Sequence, residues 1–287
     1  MTNKLKILAT GAKGMMGCDV IPILSEKCDV LSTDIEELDI CDNEQVRKAI
    51  KRFRPNWVLH MAAMTDLDRC EIEPKLAENV NSKGTENLAQ ACFDFNVSMI
   101  YISTSGVFSG LKKSPYIEDD IPRPQNVYGK TKYSGEKAVR EILAPDRWLI
   151  LRAGWLFGGG AQDKKFVGKI YKIAKQEGML SAVEDIYGSP NYTVDIGNLI
   201  LYFVNNRING LFHVANEGCA NRFKIAEEIV RVAGIDCIVK PVSSEFFKNS
   251  AQRPPMEAIE NVRLREIGYK MRPWEEALAE YVKRLIQ

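Results

Sequence analysis

Apolar residues in the first half of the chain occur in short runs that alternate with helix-forming segments. The runs KLKILAT, DVLSTD, NWVLHMAA, SMIYIST and RWLILRAGWLF have the composition and length of buried strands. Between them, MMGCDVIPILSEK, NEQVRKAIKRF, KLAENVNSKGTENLAQACFDF and the segment around VYGKTKYSGEK are predicted to be helices. Repeated strand–helix units of this kind predict an α/β fold, in which helices cover both faces of a doubly wound parallel sheet.

The pattern loosens after FGGG at residues 157–160. Helices are predicted at 162–177, 193–205, 221–233 and 274–286, and strands near 179–184, 211–215 and 236–240. The stretch KNSAQRPPMEA reads as a loop. We therefore predict a sheet domain over residues 1–157, completed by segments near 179–205, and a smaller, interleaved C-terminal lobe over 158–287 that closes over a cleft.

Three glycines follow the first predicted strand and open the first predicted helix. They are Gly11, Gly14 and Gly17, in ATGAKGMMG. Glycines let the backbone turn tightly and approach a pyrophosphate, and the free N–H groups of a helix N-terminus attract anions. A tight turn without a ligand is the alternative. The strand before and the helix after favour a Rossmann-type dinucleotide-binding domain, with the C-terminal lobe binding the substrate.

The second predicted strand ends at Asp34, about twenty residues after the glycines. A carboxylate there accepts hydrogen bonds from an adenosine 2′-hydroxyl and repels a 2′-phosphate, so Asp34 favours NADH over NADPH. Lys13 lies inside the glycine turn and offers a cation for a phosphate, which leaves NADPH open. The alternative for Asp34 is a helix cap or an exposed strand end.

Tyr128 and Lys132 are four positions apart in NVYGKTKYSGE, so a helix places both on one face. An ammonium near a phenol favours the phenolate and lowers the tyrosine pKa, which suits the tyrosine to act as an acid. Thr104 ends the strand SMIYIST, at the edge where ligands meet open α/β sheets, and its hydroxyl would orient a substrate oxygen. The simpler interpretation of the pair is a solvated surface helix.

Charge and composition narrow the classes of function. The chain has 39 Lys and Arg against 38 Asp and Glu, so no basic field favours nucleic acid or an anionic membrane. Apolar runs such as IGNLILYFV are far shorter than the roughly 20 residues of a membrane span, and MTNKLKILATG lacks a signal-peptide core. A cytoplasmic protein is expected. The seven cysteines form no CxxC pair, and His60 and His213 lie in apolar runs as core histidines do, so no metal site is predicted.

Together, the glycine turn, the Tyr–xxx–Lys pair and the threonine after the fourth strand resemble the extended short-chain dehydrogenase/reductases over nearly the whole chain. ELDICD, HMAAMTDLDRCEIEP, VYGKTKYSGEK, LRAGWLFG, DIYGSPNYTVDIGNL and ENVRLREIG are similar to successive signatures of the dTDP-4-dehydrorhamnose reductases and their nucleotide-sugar relatives. The resemblance implies NADH- or NADPH-dependent reduction of a keto group on a nucleotide-activated deoxysugar, for polysaccharide biosynthesis. A homodimer is compatible with it.

The resemblance also implies roles for particular positions. Thr104, Tyr128 and Lys132 would be catalytic. Trp155 would pack on the sugar, with an ordinary core aromatic as the alternative, and Arg253 would reach the phosphates of the substrate, with a surface arginine as the alternative. The implied cofactor-binding residues are Gly11, Gly14, Met15, Met16 and Gly17 at the pyrophosphate, Asp39 and Ile40 near the adenine, and Ala62, Ala63 and Met64 beside the nicotinamide, together with Asp34, Tyr128 and Lys132.

The sequence departs from the family pattern directly after Thr104. Reductases of this family have an Asp and a Tyr there, roughly STDYVFDG, whereas this chain reads STSGVFSG, with Ser105, Gly106 and Ser109. Ser105 is then the residue expected to contact the substrate. Because Ser105 and Gly106 supply no acid–base pair, elimination of water is not expected. A nucleotide-sugar epimerase and a non-catalytic, nucleotide-binding regulatory or scaffold subunit stay open as alternatives.

Overall fold

The structure, a computed structural model, describes residues 4–248 and 250–287. Its strands are β1 (Lys6–Thr10), β2 (Asp29–Thr33), β3 (Trp57–His60), β4 (Ser98–Thr104), β5 (Trp148–Ala153), β6 (Trp155–Phe157), β7 (Met179–Val183), β8 (Tyr187–Gly188), β9 (Pro190–Tyr192), β10 (Gly210–Val214), β11 (Ala220–Asn221) and β12 (Ile238–Val242). Its α-helices are α1 (Met15–Lys27), α2 (Asn43–Phe53), α3 (Leu67–Ile72), α4 (Pro74–Glu78), α5 (Gly84–Asp94), α6 (Val127–Ile142), α7 (Phe166–Gln176), α8 (Thr193–Asn206), α9 (Arg222–Ala233), α10 (Val262–Glu266) and α11 (Trp274–Ile286). Short 3₁₀ turns lie at Ser105–Val107, Gly160–Gln162 and Ser244–Phe246, and a π-helical turn lies at Asn79–Lys83.

Six strands form one parallel sheet in the order β10-β5-β4-β3-β1-β2. Because β1 has β2 on one side and β3 on the other, the winding reverses at β1 and a crevice opens at the carboxyl ends of β1 and β3. The predicted doubly wound, Rossmann-type sheet is confirmed.

The strand that completes the sheet is β10, and the prediction that segments near 179–205 do so is wrong. In that range, β7 pairs with β12 in a separate two-stranded sheet, and most of the remainder forms helix α8. The burial patterns explain the difference. Strand β10 is buried almost throughout, as a strand covered on both faces must be, whereas β7 is exposed or partly exposed at alternate positions.

Helices on both faces supply the two halves of the sheet core. Helices α1 and α8 cover one face, where Val20 and Phe203 are fully buried. Helices α2, α5 and α6 lie on the opposite face, where Val46, Leu88 and Val139 are fully buried. Since α8 comes after the start of the C-terminal lobe, the two parts of the chain are interleaved.

The C-terminal lobe has a core of its own between α7, α9 and α11. Tyr281 of α11 packs against the rings of Phe157 and Tyr192 at its centre. This half of the chain also contains three two-stranded sheets, β6 with β9, β7 with β12 and β8 with β11. The predicted elements of this half agree with α7, α8, α9, α11, β7, β10 and β12 apart from their ends.

Asp19, buried inside α1, joins the two parts. Its carboxylate accepts hydrogen bonds from the Gly159 nitrogen at 2.6 Å, the Thr193 hydroxyl at the start of α8, and Arg284 Nη1 of α11 at 2.8 Å. Gly159 has a φ of 71° and lies so close to Met15 that no side chain would fit. The lobe is thereby fixed to the helix that begins at the glycine turn.

Two predicted elements are interrupted in the structure. RWLILRAGWLF forms two strands, β5 and β6, because Gly154 between them packs directly against the Ser189 carbonyl. The long predicted helix KLAENVNSKGTENLAQACFDF contains the π-helical turn between α4 and α5. Such turns are frequent at functional sites.

Candidate active site

The turn after β1 forms a backbone site for an anion. Gly11 has a φ of 71°, and a side chain there would lie 2.7 Å from the Ala62 nitrogen. Gly14 precedes α1 without a side-chain cap, and a side chain at Gly17 would collide with the Ala12 carbonyl. The first turn of α1 carries no acidic residue, so its N–H groups and dipole are left to attract an anion.

Met15 and Met16 are the first residues of α1, and they face different ways. Met15 is partly exposed, whereas Met16 is 7% exposed and lies in the sheet core. The Met15 side chain and the backbone of both residues are therefore the parts that border the crevice.

Asp34, directly after β2, braces the glycine turn. Its Oδ2 accepts a hydrogen bond from the Lys13 nitrogen at 2.9 Å, and its Oδ1 accepts one from the Ile35 nitrogen at 2.9 Å. The Lys13 ammonium is held by Glu36 at 2.7 Å and Glu37 at 2.6 Å, which raises its pKa above the usual value. Two carboxylates therefore compete with any phosphate for Lys13.

The two residues predicted near the adenine lie at different depths. Asp39 is partly exposed, and its Oδ1 accepts a hydrogen bond from the Cys41 nitrogen at 2.9 Å. Ile40 is 5% exposed and packs against Gly84, and its carbonyl accepts a hydrogen bond from Asn87 Nδ2 at 3.0 Å. Ile40 is thus mainly a core residue.

Ala62, Ala63 and Met64 follow β3 in a partly exposed loop that Asn81 holds in place. Asn81 is fully buried: its Oδ1 accepts a hydrogen bond from the Met64 nitrogen at 2.8 Å, and its Nδ2 donates to the Met64 carbonyl at 3.0 Å and to Thr131 Oγ1 at 3.1 Å. Asn81 therefore connects this loop to α6. Sequence reasoning missed Asn81, because the π-helical turn that carries it looks like ordinary helix in the sequence.

The structure brings Thr104, Tyr128 and Lys132 together. Thr104 is the last residue of β4, its hydroxyl accepts a hydrogen bond from the Gly106 nitrogen at 3.1 Å, and both Thr104 and the Tyr128 ring flank Gly106. Tyr128 is in the first turn of α6 and Lys132 is one turn further on. The predicted helix is confirmed, and the joint action of the pair stays a prediction.

The start of α6 is fixed by two local features. Asn126 caps the helix by accepting a hydrogen bond from the Gly129 nitrogen at 2.8 Å. Gly129 lies against the Gly106 backbone, where a side chain would collide with the Gly106 carbonyl. This close approach holds Tyr128 beside the end of β4.

The pKa values at the site are set mainly by burial. Burial raises the pKa of Tyr128 to about 12, although the hydrogen bond with Thr104 lowers it. Burial lowers the pKa of Lys132 to about 7, although Glu136 raises it. The prediction that Lys132 lowers the tyrosine pKa is wrong for this structure, because the lysine amine lies over the ring of Tyr101.

A buried ion pair anchors the helix that carries Tyr128 and Lys132. Glu136, one turn beyond Lys132, is fully buried and accepts hydrogen bonds from Arg152 Nε at 2.9 Å and Nη2 at 2.8 Å. The Ser103 hydroxyl donates to Glu136 Oε1 at 2.5 Å. Helix α6 is thereby joined to β4 and β5 in one orientation.

The residues that replace the expected Asp and Tyr differ in exposure. Ser105 is 3% exposed inside its 3₁₀ turn, and its contact with the substrate stays a prediction. Gly106 is partly exposed, and a Cβ there would meet Thr104 at 3.4 Å and Tyr128 at 3.8 Å, which are ordinary contact distances. Position 106 therefore borders both Thr104 and the Tyr128 ring.

Trp155, directly after the end of β5, is held on three sides. One face of the indole packs on the Gly188 backbone, and the Arg222 guanidinium lies 3.7 Å from the ring centre. The indole Nε1 donates a hydrogen bond to Glu257 Oε2 at 2.6 Å. Arg222 and Glu257 were missed by sequence reasoning, because they meet Trp155 only through long-range packing.

Arg253 lies at the same edge of the cleft. Its Nη2 donates to Asp68 Oδ2 at 2.8 Å, while its Nη1 is buried without a hydrogen-bond partner among the residues that the structure describes. The arginine is partly buried, so it is more than a surface residue.

Both histidines are buried core residues, as predicted. The His60 ring hydrogen-bonds Thr10 at 2.8 Å and Thr85 at 3.0 Å, and His213 Nδ1 lies 3.1 Å from the Tyr116 carbonyl. Across residues 4–248 and 250–287, no cluster of three or more His, Cys, Asp or Glu is placed to hold a metal ion. In the same part of the chain, no helix has the length and apolar character needed to cross a membrane.

The fold and the site together define a class of protein. A doubly wound parallel sheet, a glycine turn after its first strand, and Thr104, Tyr128 and Lys132 at the carboxyl ends of its strands are the features of an extended short-chain dehydrogenase/reductase.

Comparison with known proteins narrows the class. The family model described as the RmlD substrate binding domain matches residues 5–287. The chain is 35% identical over 281 residues to a dTDP-4-dehydrorhamnose reductase of Streptomyces griseus, covering 95% of this chain and 91% of that protein. It is 31% identical to the spore coat polysaccharide biosynthesis protein SpsK of Bacillus subtilis, covering 97% of each. The structure of a dTDP-4-dehydrorhamnose reductase from Bacillus anthracis in complex with NADP has a TM-score of 0.94 at 33% identity, covering 98% of this chain and 99% of that one. The chain belongs to the dTDP-4-dehydrorhamnose reductase family.

Proposed function

We propose that this protein reduces a keto group on a nucleotide-activated deoxysugar with a nicotinamide cofactor. The observation that carries the proposal is the meeting of Thr104, Tyr128 and Lys132 beside the crevice at the glycine turn. The names of the relatives support it: one is a dTDP-4-dehydrorhamnose reductase and another belongs to polysaccharide biosynthesis. We therefore propose a dTDP-4-keto-6-deoxysugar as the substrate class and polysaccharide biosynthesis as the pathway.

The residues of the crevice fit a dinucleotide. A side chain at Gly11 or Gly17 would fill or distort the turn, and the N-terminus of α1 offers N–H groups to a pyrophosphate. We assign Gly11, Gly14, Met15, Gly17 and the Met16 backbone to the pyrophosphate. Asp39 and the backbone of Ile40 would lie near the adenine, Asp34 would face the adenine-linked ribose, and Ala62, Ala63, Met64, Tyr128 and Lys132 would line the nicotinamide side. When bound, the cofactor supplies the hydride.

Residues of the chain orient and protonate the substrate's carbonyl oxygen. The Thr104 hydroxyl, at the end of β4 and beside Gly106 with Tyr128, is assigned to orient the carbonyl. Tyr128 donates its proton to that oxygen as negative charge develops on it. A phenol with a pKa near 12 is protonated at neutral pH, as an acid must be before the reaction. Lys132, buried one turn beyond the tyrosine on α6, is assigned to the nicotinamide-linked ribose.

The C-terminal part would bind the rest of the substrate. We propose that residues 1–157 hold the cofactor and that 158–287 mainly hold the nucleotide sugar, with α8 and β10 completing the first domain. Trp155 is assigned to the sugar ring, and Arg253, with a free Nη1, to the phosphates.

We propose NADH as the preferred cofactor. Asp34, Glu36 and Glu37 gather negative charge at the end of β2, and two of them engage the Lys13 ammonium. That arrangement disfavours a 2′-phosphate. The relative solved with NADP argues for testing both cofactors.

The free cysteines are consistent with a cytoplasmic location. All seven cysteines are free thiols in the structure, as expected in a reducing compartment. A homodimer stays a prediction from the resemblance.

Turnover tests the function directly. The protein is incubated with NADH or NADPH and a panel of 4-keto nucleotide sugars, and oxidation of the cofactor is followed by its absorbance. We expect oxidation together with a product that mass spectrometry shows to have gained two hydrogens. Cofactor binding without oxidation of any substrate would favour the regulatory subunit, and an isomeric product without net oxidation would favour the epimerase.

A further inference from the structure

Glu257 is a carboxylate at the cleft for which the reaction described above has no role. Its backbone is fixed on β8, because its N–H donates to the Tyr187 carbonyl at 2.7 Å and the Tyr187 N–H donates to the Pro255 carbonyl at 2.9 Å. Its Oε2 accepts the hydrogen bond from Trp155 Nε1 at 2.6 Å. Both the backbone and the side chain of Glu257 are therefore held in one position.

The carboxylate is next to the reacting groups. Trp155 comes two residues after Ala153, and Ala153 is the register partner of Thr104 across β4 and β5. The negative charge of Glu257 also raises the pKa of Tyr128. Glu257 thus lies at the same end of the sheet as the site of reduction.

Half of the hydrogen-bonding capacity of Glu257 is free. No residue in the described parts of the chain donates a hydrogen bond to its Oε1, and Oε1 is not among the buried atoms that lack a partner. Burial raises the pKa of Glu257, whereas Trp155, Arg222 and Arg253 lower it. Arg222 and Arg253 therefore favour the charged form of Glu257, and its Oε1 can still accept a hydrogen bond.

The neighbouring space is suited to a sugar. Gly106 carries no side chain beside Tyr128, and the Trp155 indole, covered by the Gly188 backbone and by Arg222, holds the carboxylate through its N–H. A carboxylate oxygen held in place in this way is suited to accept a hydrogen bond from a sugar hydroxyl.

We infer that Glu257 is a specificity-determining residue that accepts a hydrogen bond from a hydroxyl of the substrate's sugar. The inference rests on the proposed function, since it names a contact within that substrate site. A sugar without this hydroxyl leaves a partly buried carboxylate unpaired, so the site discriminates against it.

The test distinguishes binding of the sugar from binding of the nucleotide. Binding of dTDP-rhamnose and of dTDP alone is measured by calorimetry on the full-length protein, for the wild type, Glu257→Gln and the control Glu260→Gln. The amide introduced by Glu257→Gln keeps an oxygen for Trp155 but loses the charge. We expect Glu257→Gln to lower the affinity for dTDP-rhamnose about 10- to 100-fold. Its affinity for dTDP should stay within about threefold of the wild type or be higher, and the control should change neither affinity.

A second variant checks the arrangement. Trp155→Phe keeps an aromatic ring but removes the N–H that holds Glu257. We expect it also to lower the affinity for dTDP-rhamnose more than the affinity for dTDP. The inference is overturned if Glu257→Gln leaves the affinity for dTDP-rhamnose unchanged, if it weakens both ligands equally, or if the wild type binds neither. Turnover is measured on the same wild-type preparation, so a protein that binds the sugar through Glu257 but reduces no substrate would refute the proposed function alone.

Discussion

The side-chain amine of Lys132 lies 4.1 Å from the centre of the Tyr101 ring, and the Tyr101 hydroxyl donates to the Lys132 carbonyl at 3.2 Å. Lys132 is 3% exposed. The neighbouring polar groups are His60, whose pKa is lowered by burial and by Lys132, and Glu136, which Arg152 already engages. The ammonium is therefore only partly compensated by its surroundings.

Replacing Lys132 by Met should stabilise the protein without added cofactor. The pKa of Lys132 is lowered from 10.5 to about 7, so the unfolded chain binds this proton more tightly and stability falls as the pH decreases from 10.5 to 7. One pKa unit corresponds to about 1.4 kcal/mol, so Lys132→Met should gain on the order of 1–4 kcal/mol at pH 7. The free energy of unfolding in urea is the measurement.

The matched control for that variant is the exposed Lys130→Met on the same helix. We expect the advantage of Lys132→Met to shrink as the pH is raised towards 10.5, because the wild-type lysine is then neutral in the folded state and increasingly neutral in the unfolded state. An equal gain in both variants, or one independent of pH, would contradict a buried charge as the cause.

Tyr128→Phe should remove the acid and leave the cofactor site nearly intact. We expect turnover to fall about 100-fold or more, with cofactor affinity within about twofold of the wild type. Steady-state kinetics and fluorescence titration measure the two quantities. Tyr133→Phe, on the same helix, is the control. Wild-type turnover in Tyr128→Phe would refute the assignment of the acid.

Glu136→Gln should break the buried ion pair with Arg152. A buried guanidinium without its carboxylate costs about 3–5 kcal/mol, so a large drop in the free energy of unfolding is expected. Glu141→Gln, exposed on the same helix, should change stability by about 0.5 kcal/mol or less. Similar denaturation midpoints for both variants would show that the pair does not hold α6 in place.

The two buried histidines should make the protein less stable in mild acid. Burial lowers the pKa of His213 to about 3 and that of His60 well below its usual value. Since the unfolded histidines take up protons near pH 6.5 and the folded ones do not, stability is full above that pH and is lost as the pH falls. Each should contribute a loss of about 1 kcal/mol between pH 7 and 5.5, measured by urea unfolding. His213→Gln should show a smaller loss over this range, and an unchanged slope would contradict the assignment.

Neutralising Glu36 and Glu37 should shift the enzyme towards NADPH. The double variant Glu36→Gln, Glu37→Gln releases Lys13 and removes two charges that repel a 2′-phosphate. The ratio of kcat/KM for NADPH to that for NADH should rise about 3- to 10-fold at low salt and less at high salt. Glu26→Gln, exposed on α1, is the control. An unchanged ratio would show that the 2′ position of the adenine-linked ribose does not lie near Glu36 and Glu37.

Local patterns predicted the parts of the site that are local in sequence. Gly11, Gly14 and Gly17 belong to one turn, and Tyr128 and Lys132 to one helix, so the fold and these groups were visible in the sequence. The residues that depend on long-range packing were not.

Three errors share that physical cause. The edge strand β10 is chosen by pairing with β5, which lies much earlier in the chain. The contact of Trp155 with Glu257 spans 102 residues. The pKa of Lys132 is set by burial under segments that the helix pattern does not show. The helical pattern predicts which face of the helix carries Lys132, but it does not predict which other segments bury that face.

The bond from Arg284 to Asp19 joins residues 265 positions apart, in the last helix and the first. During synthesis, Asp19 leaves the ribosome long before Arg284 is translated. Until then the nascent chain carries this carboxylate without its charged partner, so the link between α1 and α11 forms only once α11 has been made. A chain that stops short of Arg284 would leave the buried Asp19 carboxylate without the cation that balances its charge, so truncation within α11 should destabilise the protein.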